Sequence, residues 1–138
     1  MLNHIGIEMT VFLRSAAALI IARIVLTSFF WMAGLFGLFN FGEIAQEMAG
    51  VGLPLPAFFA ILTILCQLAA PAVIILNPKG YGWLGAGALI IFTLLTIPLG
   101  HAFWRFEEPM RTAEFHIFLE HISLTGGMMM AAILAVRK

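Results

Sequence analysis

Residues 16–39 read AAALIIARIVLTSFFWMAGLFGLF, an apolar run whose polar side chains are Arg23, Thr27 and Ser28 alone. Spanning a hydrocarbon core of about 30 Å takes roughly 20 apolar residues in a helix, because lipid offers no partner for an unpaired backbone N–H or C=O. The stretch is long enough. Within it, Arg23, Thr27, Phe30, Gly34 and Gly37 recur at spacings of three and four, so they share one face of the helix. Small and polar side chains on one face let a second helix approach closely, and this stripe is therefore expected to face the interior of a bundle.

Working outward, stretches without charge locate the other spans. Met48 to Pro78 is longer than one crossing requires. Its front half holds Gly50, Gly52, Pro54 and Pro56, a connection ending in a proline helix start, which leaves a helix beginning near Ala57. Gly80 to Trp104 gives a third crossing. The last, Ile122 to Val136, reaches membrane length only by starting near Ala113 and carrying His116, Glu120 and His121 in its outer end. The fold class expected is thus all-α, an integral membrane bundle of four transmembrane helices at about 14–39, 57–76, 81–103 and 114–136, forming a single domain over residues 1–138. Arg14 ahead of an apolar run has the look of a signal peptide, but Arg23 breaks that run and no small-x-small cleavage site follows. A retained first helix is expected.

Composition agrees. The chain has 138 residues, 62% hydrophobic and 10% charged, against about 25% charged in an average soluble domain. Its mean hydropathy is +1.06. Seven basic and seven acidic residues cancel, so no basic field exists to hold nucleic acid, and one cysteine excludes a disulfide framework or a Cys-only zinc site. Placed along the chain, the charges separate. Arg14, Lys79, Arg137 and Lys138 against Glu8 give one side a net +3. Arg105 and Arg111 against Glu43, Glu47, Glu107, Glu108 and Glu114 give the other −3. Positive connections stay in the cytoplasm, so both termini are expected there, with the acidic third connection outside.

Ionisable groups within the bilayer are costly and read first as functional candidates. Arg23 and Gln67 form one candidate polar site: Pro71 lacks an N–H and so frees the Gln67 carbonyl, which the Arg23 guanidinium could meet. The alternative is that both are packing glue. Pro98 frees the Leu94 carbonyl in the same way, and the hydroxyls of Thr93 and Thr96 are the expected compensation. The second candidate lies at the outer end: His101, His116, Glu120 and His121, where imidazole and carboxylate could relay protons or hydrogen-bond a quinone. His116 and Glu120, four apart, share a helix face, continued by Ser123 and Gly127. The spacing matches no metal-binding signature, and no metal is expected. Gly80, Gly82 and Gly85 spell the dinucleotide fingerprint, but no strand precedes them and no acidic residue follows about 20 positions on, so close helix packing is the expectation. No catalytic triad or phosphate loop is legible, and the residues leave open whether the chain is an enzyme.

The pattern resembles the DoxX family of small bacterial four-helix inner-membrane proteins. The resemblance rests on Ile21-Ala-Arg23-Ile-Val-Leu and Phe30-Trp-Met-Ala-Gly34; on Gly52-Leu-Pro54-Leu-Pro56; on Gly100-His101-Ala-Phe-Trp104; and on His121-Ile-Ser-Leu-Thr-Gly126-Gly127. Two positions depart from it. Family members often carry a lysine where Gly37 stands and an acidic residue in helix two where Gln67 stands. The resemblance implies a multi-pass bacterial inner-membrane protein, sometimes associated with quinone- or sulfur-linked redox complexes, with a quinone as the conceivable cofactor and a redox protein as partner. Two alternatives stay open: a non-catalytic anchor whose acidic outer connection docks a periplasmic protein, and a small transporter, which at this length requires a homo-oligomer.

Overall fold

A computed structural model describes residues 2–137, with side chains from Asn3 onward, so Lys138 and its charge lie outside the described residues. Among those residues the fold is all helical, with no strand. Seven helices follow one another: α1 (Leu2–Leu13), α2 (Ala16–Leu26), α3 (Ser28–Phe39), α4 (Phe41–Gly50), α5 (Pro56–Leu76), α6 (Gly82–Gly100) and α7 (Met110–Val136). Single 3-10 turns at Pro78–Gly80 and Phe103–Arg105 flank α6.

Three stretches are long and apolar enough to cross a membrane alone: α5, α6 with the turn after it (Gly82–Arg105), and α7. Two further pairs qualify only when joined, α1 with α2 across a 68° bend and α3 with α4 across a 109° bend, which brings the candidates to five at most. Large apolar side chains are exposed along all the long helices, among them Ile24, Phe29, Leu65, Ile91 and Ile133. A helix that hides few of its leucines and isoleucines from its surroundings is stable where those surroundings are hydrocarbon.

The decisive first stretch is divided. Thr27 closes α2: its N–H and its Oγ1 both donate to the Arg23 carbonyl, at 3.1 and 2.7 Å. Hydroxyl back-bonding of this kind competes with the helical ladder and bends it, and α3 restarts at Ser28. The inward stripe survives the break. Arg23, Thr27, Phe30, Gly34 and Gly37 are all buried. A Cβ on Gly34 would lie 2.8 Å from Leu68 and 3.1 Å from the Gln67 Cβ, and one on Gly37 would lie 2.8 Å from Ile64. That fixes an antiparallel register between α3 and α5.

Two helices arise outside the expected spans, α4 in the first connection and α1 ahead of the first span. α4 carries Phe41, Ile44, Ala45 and Met48 at helical spacing, and Ile44 is buried against Ala60 and Ile64 of α5. Its carboxylates Glu43 and Glu47 end the charge-free gap on either side, which is why gap-reading passes over it. α1 is the other, exposed along its described length.

Asn77 ties the opposite end of the bundle. It ends α5 in the left-handed region at φ 42°, a conformation that Asn tolerates better than most residues. Its Nδ2 donates to the Ala135 carbonyl of α7 at 3.1 Å, while its Oδ1 accepts from Gly82 N–H of α6 at 2.7 Å. The glycines after it serve packing: a Cβ on Gly85 would stand 2.5 Å from the Ala70 carbonyl oxygen of α5. Phe30, Ile74, Leu89 and Met128, each at 1% exposure or less, fill the centre where α3, α5, α6 and α7 meet.

Candidate functional site

At the end of the bundle where α4 folds over, a cavity of about 300 Å³ lies between α3, α4, α5, α6 and α7. Aromatic rings form much of its wall: Phe29, Phe30 and Phe36 from α3 and Phe92 from α6, with Phe30 and Phe92 edge to face at 6.2 Å. Its deepest polar groups are Gln67 and Thr93. Gln67 is 9% exposed and Thr93 2%, and the Thr93 Oγ1 is fully buried with no hydrogen-bond partner among the described residues. Leaving a buried polar group unpaired costs about 1–3 kcal/mol. Such groups on a cavity wall are what a hydrogen-bonding occupant would satisfy. Thr63 and Thr96 stand between this floor and the mouth. The Thr96 hydroxyl donates to the Thr93 carbonyl at 2.7 Å, rather than to the Leu94 carbonyl that Pro98 frees.

The mouth holds the ionisable groups. His101 caps the end of α6, its N–H bonded to the Ile97 carbonyl at 3.0 Å, and its Nδ1 lies 2.8 Å from Glu114 Oε2 of α7. Both side chains are mostly buried, at 29% and 16% exposure. An ionised carboxylate only accepts, so the pair requires the proton on His101 Nδ1. His121 stands beside it, ring centroids 4.9 Å apart, and its Nδ1 lies 2.8 Å from the Ile117 carbonyl. A carbonyl also only accepts. Both imidazoles are therefore anchored through Nδ1–H, leaving each Nε2 without a protein partner among the described residues. In the neutral ring that nitrogen accepts a proton or hydrogen bond; once protonated it donates one. Phe103 positions this group: its ring packs on Phe115 and Phe118 at 5.1 and 5.3 Å, seating the first turns of α7 against the end of α6.

The structure thus brings His101 and His121 together and adds Glu114 and, from α4, Glu47, which lines the same cavity. It leaves His116 and Glu120 on the exposed face of α7. The i, i+7 spacing of Glu114 and His121 carried the signal for the inward face, since two helical turns return to nearly the same side. Arg23 and Gln67 are not brought together. Gln67 lies opposite Gly34 of α3, whereas Arg23 lies eleven residues earlier, in α2 beyond the break at Thr27. Arg23 is buried, lines neither cavity described here, and its Nε has no partner among the described residues. Glu108, two residues ahead of α7, accepts from the Thr112 N–H at 3.3 Å and from the Thr112 Oγ1 at 2.6 Å. No group of three or more His, Cys, Asp or Glu side chains is placed to hold a metal ion among the described residues.

An apolar helical bundle with a polar cavity between its helices is the setting in which sequence comparison identifies the chain. The DoxX family model matches residues 18–102, and the chain belongs to the DoxX family. It is 29% identical over 116 residues to inner membrane protein YphA of Escherichia coli (strain K12), covering 83% of this chain and 81% of YphA. No solved structure matches it. The protein is a multi-pass inner-membrane protein of that family.

Proposed function

We propose that this protein is the membrane component of a redox system and that its cavity receives the head of a lipid-soluble quinone. The observation that carries the reading is His101, held by Glu114 at 2.8 Å, on the wall of a cavity floored by Gln67 and the unpaired Thr93 hydroxyl. A quinone needs a hydrogen-bond donor at a carbonyl and, on reduction, a route for protons. Once protonated, an imidazole held at Nδ1 by a carboxylate donates from Nε2 to the carbonyl and can pass that proton on reduction, and the phenylalanine walls suit a flat ring. The two polar ends do not grip one ring together. His101 and Thr93 are eight residues apart on α6, about 12 Å, which exceeds the span of a six-membered ring. In this reading the ring sits at the His101 end, and the floor groups bind water or a substituent.

The same reading places four spans across the membrane, α2 with α3, α5, α6 and α7, with both termini cytoplasmic and α4 lying across the outer end. The positive charge of one set of connections and the negative charge of the other support it. A docking role for the outer connection is favoured less, because Glu108 is engaged with Thr112 in the first turn of α7.

Native mass spectrometry of the complex released from membranes tests the proposal. A bound mass in the quinone range, with or without a co-purifying oxidoreductase, is expected. Repeated isolation of the bare chain, with quinone abundant in the same membranes, would contradict it.

A further inference from the structure

Beside the polar cavity lies a second, larger one of about 850 Å³, running between α5 and α6 under the overhang of α4. The two share part of their walls, among them Glu47, Thr63, Phe92, Thr96 and His101. Polarity falls along the second cavity. Its charged and hydroxyl groups, Glu47, Thr63, Thr96 and His101, lie toward the His101 end, and further along α5 and α6 come Cys66, Leu95, Ile91 and finally Ala88. His101 and Ala88 are thirteen residues apart on α6, about 20 Å of helix. Leu62, Ile91, Leu95 and Leu99 are exposed, so the groove opens sideways toward lipid rather than toward water.

We infer that this groove is a tail channel, which takes the hydrocarbon chain of a ligand whose head lies in the polar cavity, and through which that ligand enters laterally from the bilayer. The inference rests on the reading that the head site holds a lipid-soluble molecule. A head cavity of about 300 Å³ accommodates a ring and not a long chain, and the adjoining groove continues it in apolar form. Energetically the channel adds little affinity. Moving a chain from lipid into a groove of leucines exchanges one hydrocarbon surrounding for another. Its effect is steric: it decides which ligands fit. The test must therefore compare shapes and not hydrophobicities.

The chain contains a single cysteine, Cys66, and it lies on the groove wall. In nanodiscs holding the full chain, alkylation of Cys66 by N-phenylmaleimide is followed with decylubiquinone, and again with the same dimethoxy-methyl-benzoquinone ring lacking a tail. At ligand about ten times its Kd the tailed compound should slow alkylation about tenfold, because occupancy leaves about a tenth of the sites open. The tailless ring should leave the rate unchanged. In Leu95→Trp, which plugs the groove halfway, affinity for decylubiquinone should fall about tenfold or more while ring binding is retained. Retained ring binding also shows that the variant is folded, and Ile91→Trp should repeat the result. If both compounds bind Leu95→Trp as they bind the wild-type chain and neither protects Cys66, the tail channel is refuted and the quinone reading stands. If neither compound binds the wild-type protein, both fall.

Discussion

Gly85, Gly34 and Gly87 differ in what a methyl group would strike. At Gly85 it meets a carbonyl oxygen of α5 at 2.5 Å, a backbone atom that cannot move without shifting a helix. At Gly34 it meets side-chain atoms only, the Leu68 Cγ and Cδ2 at 2.8 Å and the Gln67 Cβ at 3.1 Å, and at Gly87 nothing lies within 4 Å. Gly85→Ala should lower stability by about 1–3 kcal/mol, Gly34→Ala by less, and Gly87→Ala not at all. Thermal unfolding in one detergent ranks them. Thr93→Val separates folding from function at the cavity floor. The Oγ1 has no partner, so its loss should leave stability equal or raise it by up to about 1–3 kcal/mol of relieved desolvation, with an equal or higher melting temperature, while ligand affinity falls. A lower melting temperature would mean that the hydroxyl stabilises the empty fold. Much at this scale was legible in the sequence. The stripe from Arg23 to Gly37 names the five residues that α2, α3 and Thr27 bury, because small and polar side chains at helical spacing have no place facing lipid. That Arg23 and Gln67 stand apart was not legible, since sequence gives the face of a residue but not its depth relative to another helix.

Helix ends and helix faces show where spacing alone misleads. On α7 the i, i+4 pair His116 and Glu120 has the more conspicuous chemistry, yet the helix turns the face of Glu114 and His121 inward. The rotation is set by Met128, Ala131 and Ala135 lower down, which pack into the bundle and carry the upper turns with them. α4 was hidden for a different reason. A short amphipathic helix with two carboxylates has a clear apolar face but no charge-free run, and only the first of these was needed for it to dock on α5. Ile44→Ala should therefore loosen α4 specifically, at a cost of about 2–5 kcal/mol if the void does not close, with faster hydrogen exchange over 41–50 than elsewhere. Asn77 belongs to this scale too, since one side chain holds α6 and α7 to the end of α5. Asn77→Gly keeps the left-handed backbone and removes both bonds, so its loss of stability, about 1–3 kcal/mol, measures the clamp alone. Asn77→Ala should lose more, because it adds backbone strain.

For the whole molecule, fourteen charges summing to zero conceal an oriented protein. The inner-membrane location follows from the family and its relative, whereas the proposed sidedness rests on charge placement. In a Cys66→Ser background, Glu107→Cys should react with an impermeant maleimide in intact spheroplasts and Arg137→Cys only after permeabilisation. The reverse pattern would invert the bundle and turn the His101 mouth toward the cytoplasm. What composition could not disclose is that the bundle is hollow at one end, because a cavity depends on how far side chains on five helices fail to meet. The claim that this hollow binds a quinone head is tested most directly by titrating the full-length protein in nanodiscs with decylubiquinone, alongside His101→Ala and His116→Ala. Saturable binding near one per chain is predicted for the wild type and for His116→Ala, whose side chain is exposed, with affinity lost by about tenfold or more in His101→Ala. Equal binding by all three proteins, or none by the wild type, would contradict it.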